Sequence, residues 1–157
     1  MPAIDTGSTI LDALKNLQVH LQAKKSTFGI RQVYRYPAYS EGVSGPAICL
    51  EVDTPTGIIM AQFGNGIEAD WRITITITYY TTLTILSYCY DNVTNVMGEL
   101  IEYLVENPSP NGFGNLLVDP GQEGPQIGNI QNAPAGTTLF GGTITVVLTH
   151  TRAHTVS

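Results

Sequence analysis

The sequence predicts one α+β domain, in which a mostly antiparallel or mixed β-sheet of four to five strands carries two helices on one face. Residues 9–23 and 92–106 repeat apolar side chains at helical spacing. Residues 71–90 alternate apolar and polar side chains, as a half-buried strand does. Residues 107–138 hold six glycines and five prolines, which predicts a long loop. At 157 residues the chain fits a single domain, 1–157.

The first helix is predicted over residues 9–23. Its apolar stripe includes Leu14, Leu17 and Leu21. Ser8 is a suitable N-cap because its hydroxyl can accept an unpaired N–H of the first turn. Lys24 and Lys25 suit the negative end of the helix dipole, so the helix should end near them.

Three shorter strands are predicted next. Residues 29–36 alternate imperfectly, and residues 47–52 and 58–63 are apolar pieces separated by a turn at 54–57. We expect the last two to form a hairpin with each other.

The strongest strand signal covers residues 71–90. Isoleucines 73, 75 and 77 lie on one face, and Thr74, Thr76 and Thr78 on the other. Near Leu86 the large side chains change face, which indicates a bulge or a bend. Two interpretations of the threonine face stay open: it faces water, or it packs on a neighbouring subunit without the desolvation cost of charge.

The second helix is predicted over residues 92–106, with Asp91 as N-cap and Pro108 ending it. Residues 107–138 are then either a disordered surface excursion or an arm that orders on a neighbouring chain. Its scattered apolar anchors would be Ile127, Ile130 and, just beyond the arm, Phe140. Residues 142–151 close the fold as a strand, and 152–157 form a polar tail.

Charge is sparse and unevenly placed. Only 13% of residues are charged, about half the usual ~25%. The net charge of −6 disfavours sequence-specific or general nucleic-acid binding, which needs a basic face. Five of the seven bases lie within residues 15–35, and eleven of the thirteen acids lie between Glu41 and Glu123. Either both regions are simply solvated, or a basic cluster of one subunit meets an acidic region of a neighbour.

No arrangement of residues predicts catalysis, a cofactor or a metal. Catalytic nucleophiles need an adjacent base, and no such pairing occurs near His20, His150 or His154. His150 and His154 would share a metal only if the tail were helical. Cys49 and Cys89 lie in apolar stretches, where free cysteine behaves as a small hydrophobe, although a disulfide stays open.

Neither a signal peptide nor a membrane-spanning stretch is evident, so we expect a protein made in the cytoplasm and partnered with no membrane.

The order of elements resembles that of the tail-terminator, or tail-completion, proteins of long-tailed bacteriophages. The likeness is carried by the 10–21 helix, by the 71–90 strand running into the 91–106 helix, and by the 142–151 strand. It covers most of the chain in pattern, although the 107–138 segment is longer than the family leads us to expect.

This resemblance implies a non-enzymatic virion protein. It would form a ring, commonly a hexamer, that caps the tail tube, ends tube polymerisation and offers a surface to the neck or head. Its partners would be itself, the tail tube protein and a neck or head-completion protein, in particles assembled in the host cytoplasm. The residues we expect at subunit contacts are Lys24, Lys25, Arg31, Arg35, Thr74, Thr76, Thr78, Ile127, Ile130 and Phe140.

Three other readings compete with this one. The first is another neck, tube or minor capsid protein, which would use the same surfaces. The second is a small-molecule binding module built around Trp71 and the tyrosines. The third is an enzyme whose site forms between subunits, with His150 facing a neighbour's carboxylate.

Overall fold

The computed structural model describes residues 2–53, 58–63, 68–82, 84–118 and 126–153. The fold is α+β, with a mixed sheet and helices, as predicted. The helices are α1 (Thr9–Gln22), α2 (Lys25–Phe28) and α3 (Leu86–Glu106), and 3-10 turns occupy Ala38–Glu41 and Pro110–Gly112. The strands are β1 (Val33–Tyr34), β2 (Ala47–Val52), β3 (Ile58–Phe63), β4 (Glu68–Thr82), β5 (Asn115–Val118), β6 (Gln126–Asn129) and β7 (Leu139–Ala153).

An antiparallel ribbon of two long strands forms the centre of the sheet. β4 and β7 have 15 residues each and pair along their whole length, from Glu68 opposite Ala153 to Thr82 opposite Leu139. At ~3.4 Å per residue such a strand is about 50 Å long. The two patterns that alternated most clearly in the sequence therefore lie side by side and fix each other's register.

Two short strands lie end to end along each outer edge of this ribbon. β2 pairs with residues 75–80 of β4 and β3 with residues 68–73, both antiparallel. β5 and β6 follow β7 in the same way. The predicted hairpin between β2 and β3 is therefore wrong, because both strands use the same edge of β4. Within the described residues the sheet has seven strands rather than four to five, since two of its rows are made of two short strands each.

The main core lies on the face of the sheet that carries the helices, here called the helix face. Ile73, Ile75 and Ile77 of β4 are fully buried there, as the alternation predicts. From the helices, Leu17 and Leu21 of α1 pack into the same cluster. The α3 side chains in this cluster are Cys89, Val93, Val96, Met97, Leu100 and Leu104. The expectation that two helices pack on one face holds for α1 and α3, and α2 adds a short third helix.

A second, smaller cluster covers one end of the opposite face, here called the threonine face. Tyr80 is fully buried there and donates a hydrogen bond to the carbonyl of Val43 over 2.7 Å. The cluster consists of Ala38, Tyr39, Ala47, Cys49, Tyr80 and Leu139. Part of the threonine face is thus covered by the chain itself, through the loop before β2 and the turn before β7.

The helix after β4 begins six residues earlier than the sequence predicted. The amide of Cys89 donates to the carbonyl of Ile85 over 3.0 Å, which is the first helical hydrogen bond of α3. Residues 86–90 are therefore helical, and Asp91 lies inside the helix rather than at its N-cap. The change of face that the sequence shows near Leu86 coincides with this start of the helix. Cys89 continues the buried stripe of α3 backwards by one turn from Val93.

Smaller differences concern α1 and the strand predicted at 29–36. Ser8 stands at the N-cap position with an extended backbone, but its side chain makes no capping hydrogen bond. Only Val33 and Tyr34 of residues 29–36 form a strand, which pairs in parallel with β2. The preceding chain turns through α2, which ends at Gly29 with φ of +68°, a left-handed value that favours glycine.

Residues 107–138, expected as a long loop, include two strands in their described part. β5 and β6 both pair with β7 of the same chain, and the carbonyl of Pro108 accepts a hydrogen bond from Leu116 over 2.6 Å. Residues 119–125 lie outside the described residues, as does most of the 152–157 tail.

Candidate interaction surfaces

The uncovered part of the threonine face is rich in hydroxyls, with Glu51 opposite Thr76 in the ladder. Thr74 and Thr76 of β4 are half-buried there, and Thr145 of β7 lies directly opposite Thr76. Beside them Leu117 of β5 is 55% exposed. Threonine side chains satisfy their hydroxyls locally, as when Thr76 donates to the carboxylate of Asp53. Another chain can cover the part of this surface formed by Thr74, Thr145 and Leu117 without desolvating a charge.

A groove of about 360 Å3 opens between this surface and the smaller cluster. Its floor lies on the threonine face, where Gly128 of β6 stands opposite Gly141 of β7. Its described lining residues carry amides, hydroxyls and aliphatic groups but no charge: Tyr39, Thr78, Gln126, Ile127, Gly128, Asn129, Ile130, Gln131, Asn132, Gly141, Gly142 and Thr143. A neutral group that forms hydrogen bonds therefore fits this groove best.

The two opposed glycines differ in what surrounds them. A Cβ on Gly141 would lie 2.0 Å from the carbonyl oxygen of Tyr79, so that position requires glycine. A Cβ on Gly128 would meet nothing within 4 Å. No side chain fills the groove at Gly128, although the fold leaves room for one there.

The start of α3 carries the largest exposed apolar group on the described surface, here called the aromatic corner (residues 85–90). Its exposed side chains are Ile85 at 56%, Leu86 at 61%, Tyr88 at 70% and Tyr90 at 53%. None of its residues is charged. Isolated exposed apolar residues are ordinary, but contiguous groups of this kind mark sites that contact another molecule.

A basic cluster lies around α2 and β1. Lys24, Arg31 and Arg35 are exposed and Lys25 is half-buried, and none of the four forms an ion pair with another described residue. Arg31 donates to the Ser44 hydroxyl over 3.3 Å. These side chains therefore remain available to acidic groups of another chain.

The remaining predicted contact residues lie deeper in the fold. Phe140 is 5% exposed and packs in the main core beside Tyr90, and Thr78 is 2% exposed. Ile127 packs against the main core and Ile130 against the smaller cluster. Phe140 and Ile127 thus anchor β6 and β7 within their own chain.

The residues most strongly linked by charge are ones that the sequence did not single out. Asp12 is fully buried and accepts hydrogen bonds from the backbone and hydroxyl of Thr6 and from Arg152. Asp5 is the second ion-pair partner of Arg152. Burial alone would raise the pKa of Asp12, but the hydrogen bonds from Thr6 and Arg152 and the charge of Arg152 outweigh it and hold that pKa below its usual range. The sequence signal for this site was an acidic residue, Asp12, in the first turn of the predicted helix.

A neighbouring amide extends this network. Asn16 is fully buried, and its side chain exchanges two hydrogen bonds with the backbone of Ile4 and accepts one from Asn111. The N-terminal segment is thereby joined to α1, to the 3-10 turn after α3 and to the end of β7. Asp12 and Asn16 thus hold the N-terminal segment against the rest of the fold.

Two of the histidines fill structural positions. His20 donates to the carbonyl of Asn107 over 2.9 Å and stacks on Tyr103, and burial lowers its pKa. His150 stacks on Phe113 at a centroid distance of 3.9 Å, and burial together with the charge of Arg152 lowers its pKa. Both imidazoles are therefore neutral near pH 7.

His150 also lines a depression of about 460 Å3 together with Trp71 and Arg72. Its other lining residues are Asp70, Gly114, Asn115, Thr149 and Thr151. The Thr151 hydroxyl is already engaged by Asp70. The depression holds one carboxylate, that of Asp70, and one guanidinium, that of Arg72. Among its lining residues we find no nucleophile paired with a general base.

The cysteines are buried and free. Burial raises the pKa of Cys49 to about 11, so its thiol is protonated at neutral pH and is a poor nucleophile. Within the described residues, no three His, Cys, Asp or Glu side chains come together as a metal site. No helix in the described part of the chain has the length and apolarity that a membrane span requires.

Comparison with known proteins found no matching family model and no matching curated protein.

Proposed function

We propose that this chain is a tail-terminator protein that closes the tail tube of a long-tailed bacteriophage. In this role it forms a ring, ends tube polymerisation and presents a surface for joining to the neck or head. Its partners are other copies of itself, the tail tube protein and a neck or head-completion protein. The observation that supports the proposal best is that the described chain exposes an uncharged aromatic corner, while the hydroxyl-rich open part of the threonine face lies on another side of the sheet.

The exposed side chains of both regions lie outside the two hydrophobic clusters. Tyr88 and Leu86 are more than half exposed, and Thr74 and Thr76 lie on the opposite face of the sheet. A chain with two such surfaces on different sides can contact two neighbours at once. Contacts between unlike surfaces form closed rings when their rotation returns to the start.

The basic cluster supplies orientation in such an assembly. Lys24, Arg31 and Arg35 have no acidic partner among the described residues of their own chain. Exposed acids on α3 include Glu102 and Glu106. Opposite charges across a subunit contact fix its register and speed encounter more than they add affinity.

Capping then follows from geometry alone. One side of the ring complements the end of the tube, and the other side does not repeat the tube's own surface. A further tube ring finds no matching surface, so growth stops. No catalytic group is required for this mechanism.

The proposal is tested by removing the gene from the phage that carries it and examining the particles by electron microscopy. We expect tubes of irregular length and heads without attached tails, both restored by the wild-type gene supplied in trans. Tails of normal length joined to heads in the absence of the gene would overturn the proposal. Copy number and position on the wild-type particle separate a terminator from another neck, tube or capsid component.

A further inference from the structure

Two unpartnered features of this chain complement each other: the aromatic corner at residues 85–90 and the uncharged groove over Gly128. We propose that Tyr88 of one copy inserts into the groove of a second copy, as a heterologous contact between neighbouring subunits. This inference deepens the proposed function, because it rests on a ring of identical chains and assigns the residues that join them.

The aromatic corner and the groove are formed by different elements of the fold. Tyr88 lines a shallow depression together with Gly45 and Pro46, which precede β2. The groove is floored by β6 and β7. The order of strands places β2 on one side of β4 and β7 with β6 on the other. The corner nevertheless reaches β7, where Tyr90 packs beside Phe140. The two features are separated by the sheet, since α3 packs on the helix face and the groove opens on the threonine face, and a contact between two such unlike surfaces is heterologous.

The chemistry of the Tyr88 side chain matches that of the groove. A tyrosine ring presents an apolar body and a hydroxyl that seeks a hydrogen-bond partner when it is buried. The groove offers a glycine floor and Ile130 to the body of such a ring. Exposed amides at its rim, on Asn129, Gln131 and Asn132, can bond the hydroxyl. Neither side brings a charge that would have to be desolvated.

The exposed area of the aromatic corner is large enough for a subunit contact. Four large side chains of the corner are more than half exposed. Together they present on the order of 500 Å2, against the roughly 800 Å2 that each partner buries in a standard interface. The corner alone therefore supplies more than half of what a stable contact needs, and the open threonine face beside the groove can supply the rest.

Cross-linking between differently tagged full-length chains tests the contact. One chain carries Tyr88→Cys and the other Gly128→Cys, and Val105→Cys replaces Tyr88→Cys in the control because Val105 is similarly exposed, at 61%, on the outer side of α3. After mixing and mild oxidation we expect the Tyr88–Gly128 disulfide to exceed both the control and the two same-site disulfides. A predominance of Tyr88–Tyr88 disulfides would show a symmetric contact and overturn the proposal.

Association is measured in parallel by sedimentation. Tyr88→Ala and Gly128→Leu should each weaken self-association about tenfold or more, as truncating or blocking a central interface residue does. Tyr36→Ala is the matched control for Tyr88, since Tyr36 is exposed on another part of the surface, and Gly98→Leu is the control for Gly128, since a Cβ there also meets nothing. Circular dichroism and thermal melting establish that each variant is folded.

The outcomes separate this contact from the function it serves. An oligomer that is unaffected by Tyr88→Ala and Gly128→Leu overturns the contact and leaves the ring intact. A wild-type chain that stays monomeric, while Tyr88→Ala loses binding to the tube protein, overturns the contact in favour of a tube partner. Confirmed cross-links together with normal particles after gene removal support the contact and overturn the tail role.

Discussion

The guanidinium of Arg152 lies 3.0 Å from the carboxylate of Asp12, joining the end of β7 to the first turn of α1. The Asp12 side chain is fully buried and that of Arg152 is 11% exposed. The pair thus connects the two ends of the described chain.

Removing Arg152 should destabilise the fold strongly. Arg152→Ala leaves the Asp12 carboxylate buried without its cationic partner, and breaking such a pair costs about 3–5 kcal/mol in the free energy of unfolding. Asp5→Asn is the control, because the Asp5 side chain is 71% exposed and such surface pairs are worth at most about 1 kcal/mol. Urea denaturation at pH 7 measures both. Equal losses in the two variants would contradict the central role of Asp12.

The same pair predicts a pH dependence below pH 4. The pKa of Asp12 is lowered in the folded state, so its contribution to stability is present above the unfolded pKa near 4 and is lost as the pH falls through the folded value. Asp12→Asn should be less stable than wild type at pH 7, and the gap should close toward pH 2. Denaturation curves across this range follow the difference, and a constant gap would refute the assignment.

A separate dependence is expected between pH 7 and pH 5. Burial lowers the pKa of His20 in the folded state. Below about pH 6.5 the imidazole is therefore protonated in the unfolded chain before it is protonated in the folded chain, and the free energy of unfolding decreases as the pH falls. His20→Gln should show a shallower slope of unfolding free energy in this window. His150 has the same direction of shift, so His150→Gln should reduce the slope as well. An unchanged slope in His20→Gln would contradict the burial of its imidazole.

Proline scanning distinguishes the observed start of α3 from the predicted one. Asp91→Pro should cost about 3 kcal/mol or more, because residue 91 lies inside the helix and would lose a hydrogen bond and clash with the preceding turn. Ser87→Pro falls in the first turn, where proline is tolerated, and should cost little. Thermal melting of the two variants gives the comparison. A mild effect at both positions would move the helix start back to Asn92.

The opposed glycines of β6 and β7 give a matched pair. Gly141→Ala forces a Cβ against the Tyr79 carbonyl and should destabilise by roughly 2 kcal/mol or more, or displace β7. Gly128→Ala places its Cβ in open space, and it should be neutral or stabilising by a few tenths of a kcal/mol since glycine weakens strands. Equal unfolding free energies for the two variants would contradict the close approach of β7 to β4 at Gly141.

Much of the fold was predictable because single patterns were strong. The isoleucines of β4 and the alternating residues of β7 identified the central ribbon, and the stripes of α1 and α3 identified the helices that cover it. Pairing was harder to predict. β2 and β3 look like a hairpin because a turn-rich segment separates them, yet the length of β4 lets both pair with it in succession.

The candidate surfaces were only partly predictable. The basic cluster and the threonine face follow from composition and alternation. Phe140, which we expect at a contact between subunits, is 5% exposed within this chain, because alternation along β7 places it on the helix face together with Ile144. The sequence does not predict the aromatic corner, because Tyr88 and Tyr90 fall within the predicted 71–90 strand. The groove depends on two distant glycines meeting across a ladder, which no local pattern reveals.

The interrupted rows beside β4 have a consequence for how this chain tolerates variation in length. Between the residues of β4 that pair with Val52 and with Ile58 lies only Thr74, whose carbonyl accepts a hydrogen bond from the amide of Asp53 over 3.0 Å. Each short strand takes its alignment from the long one and not from the segment that joins them. Residues can therefore be gained or lost at this point during evolution, or an epitope tag inserted there, without shifting any other pair of the sheet.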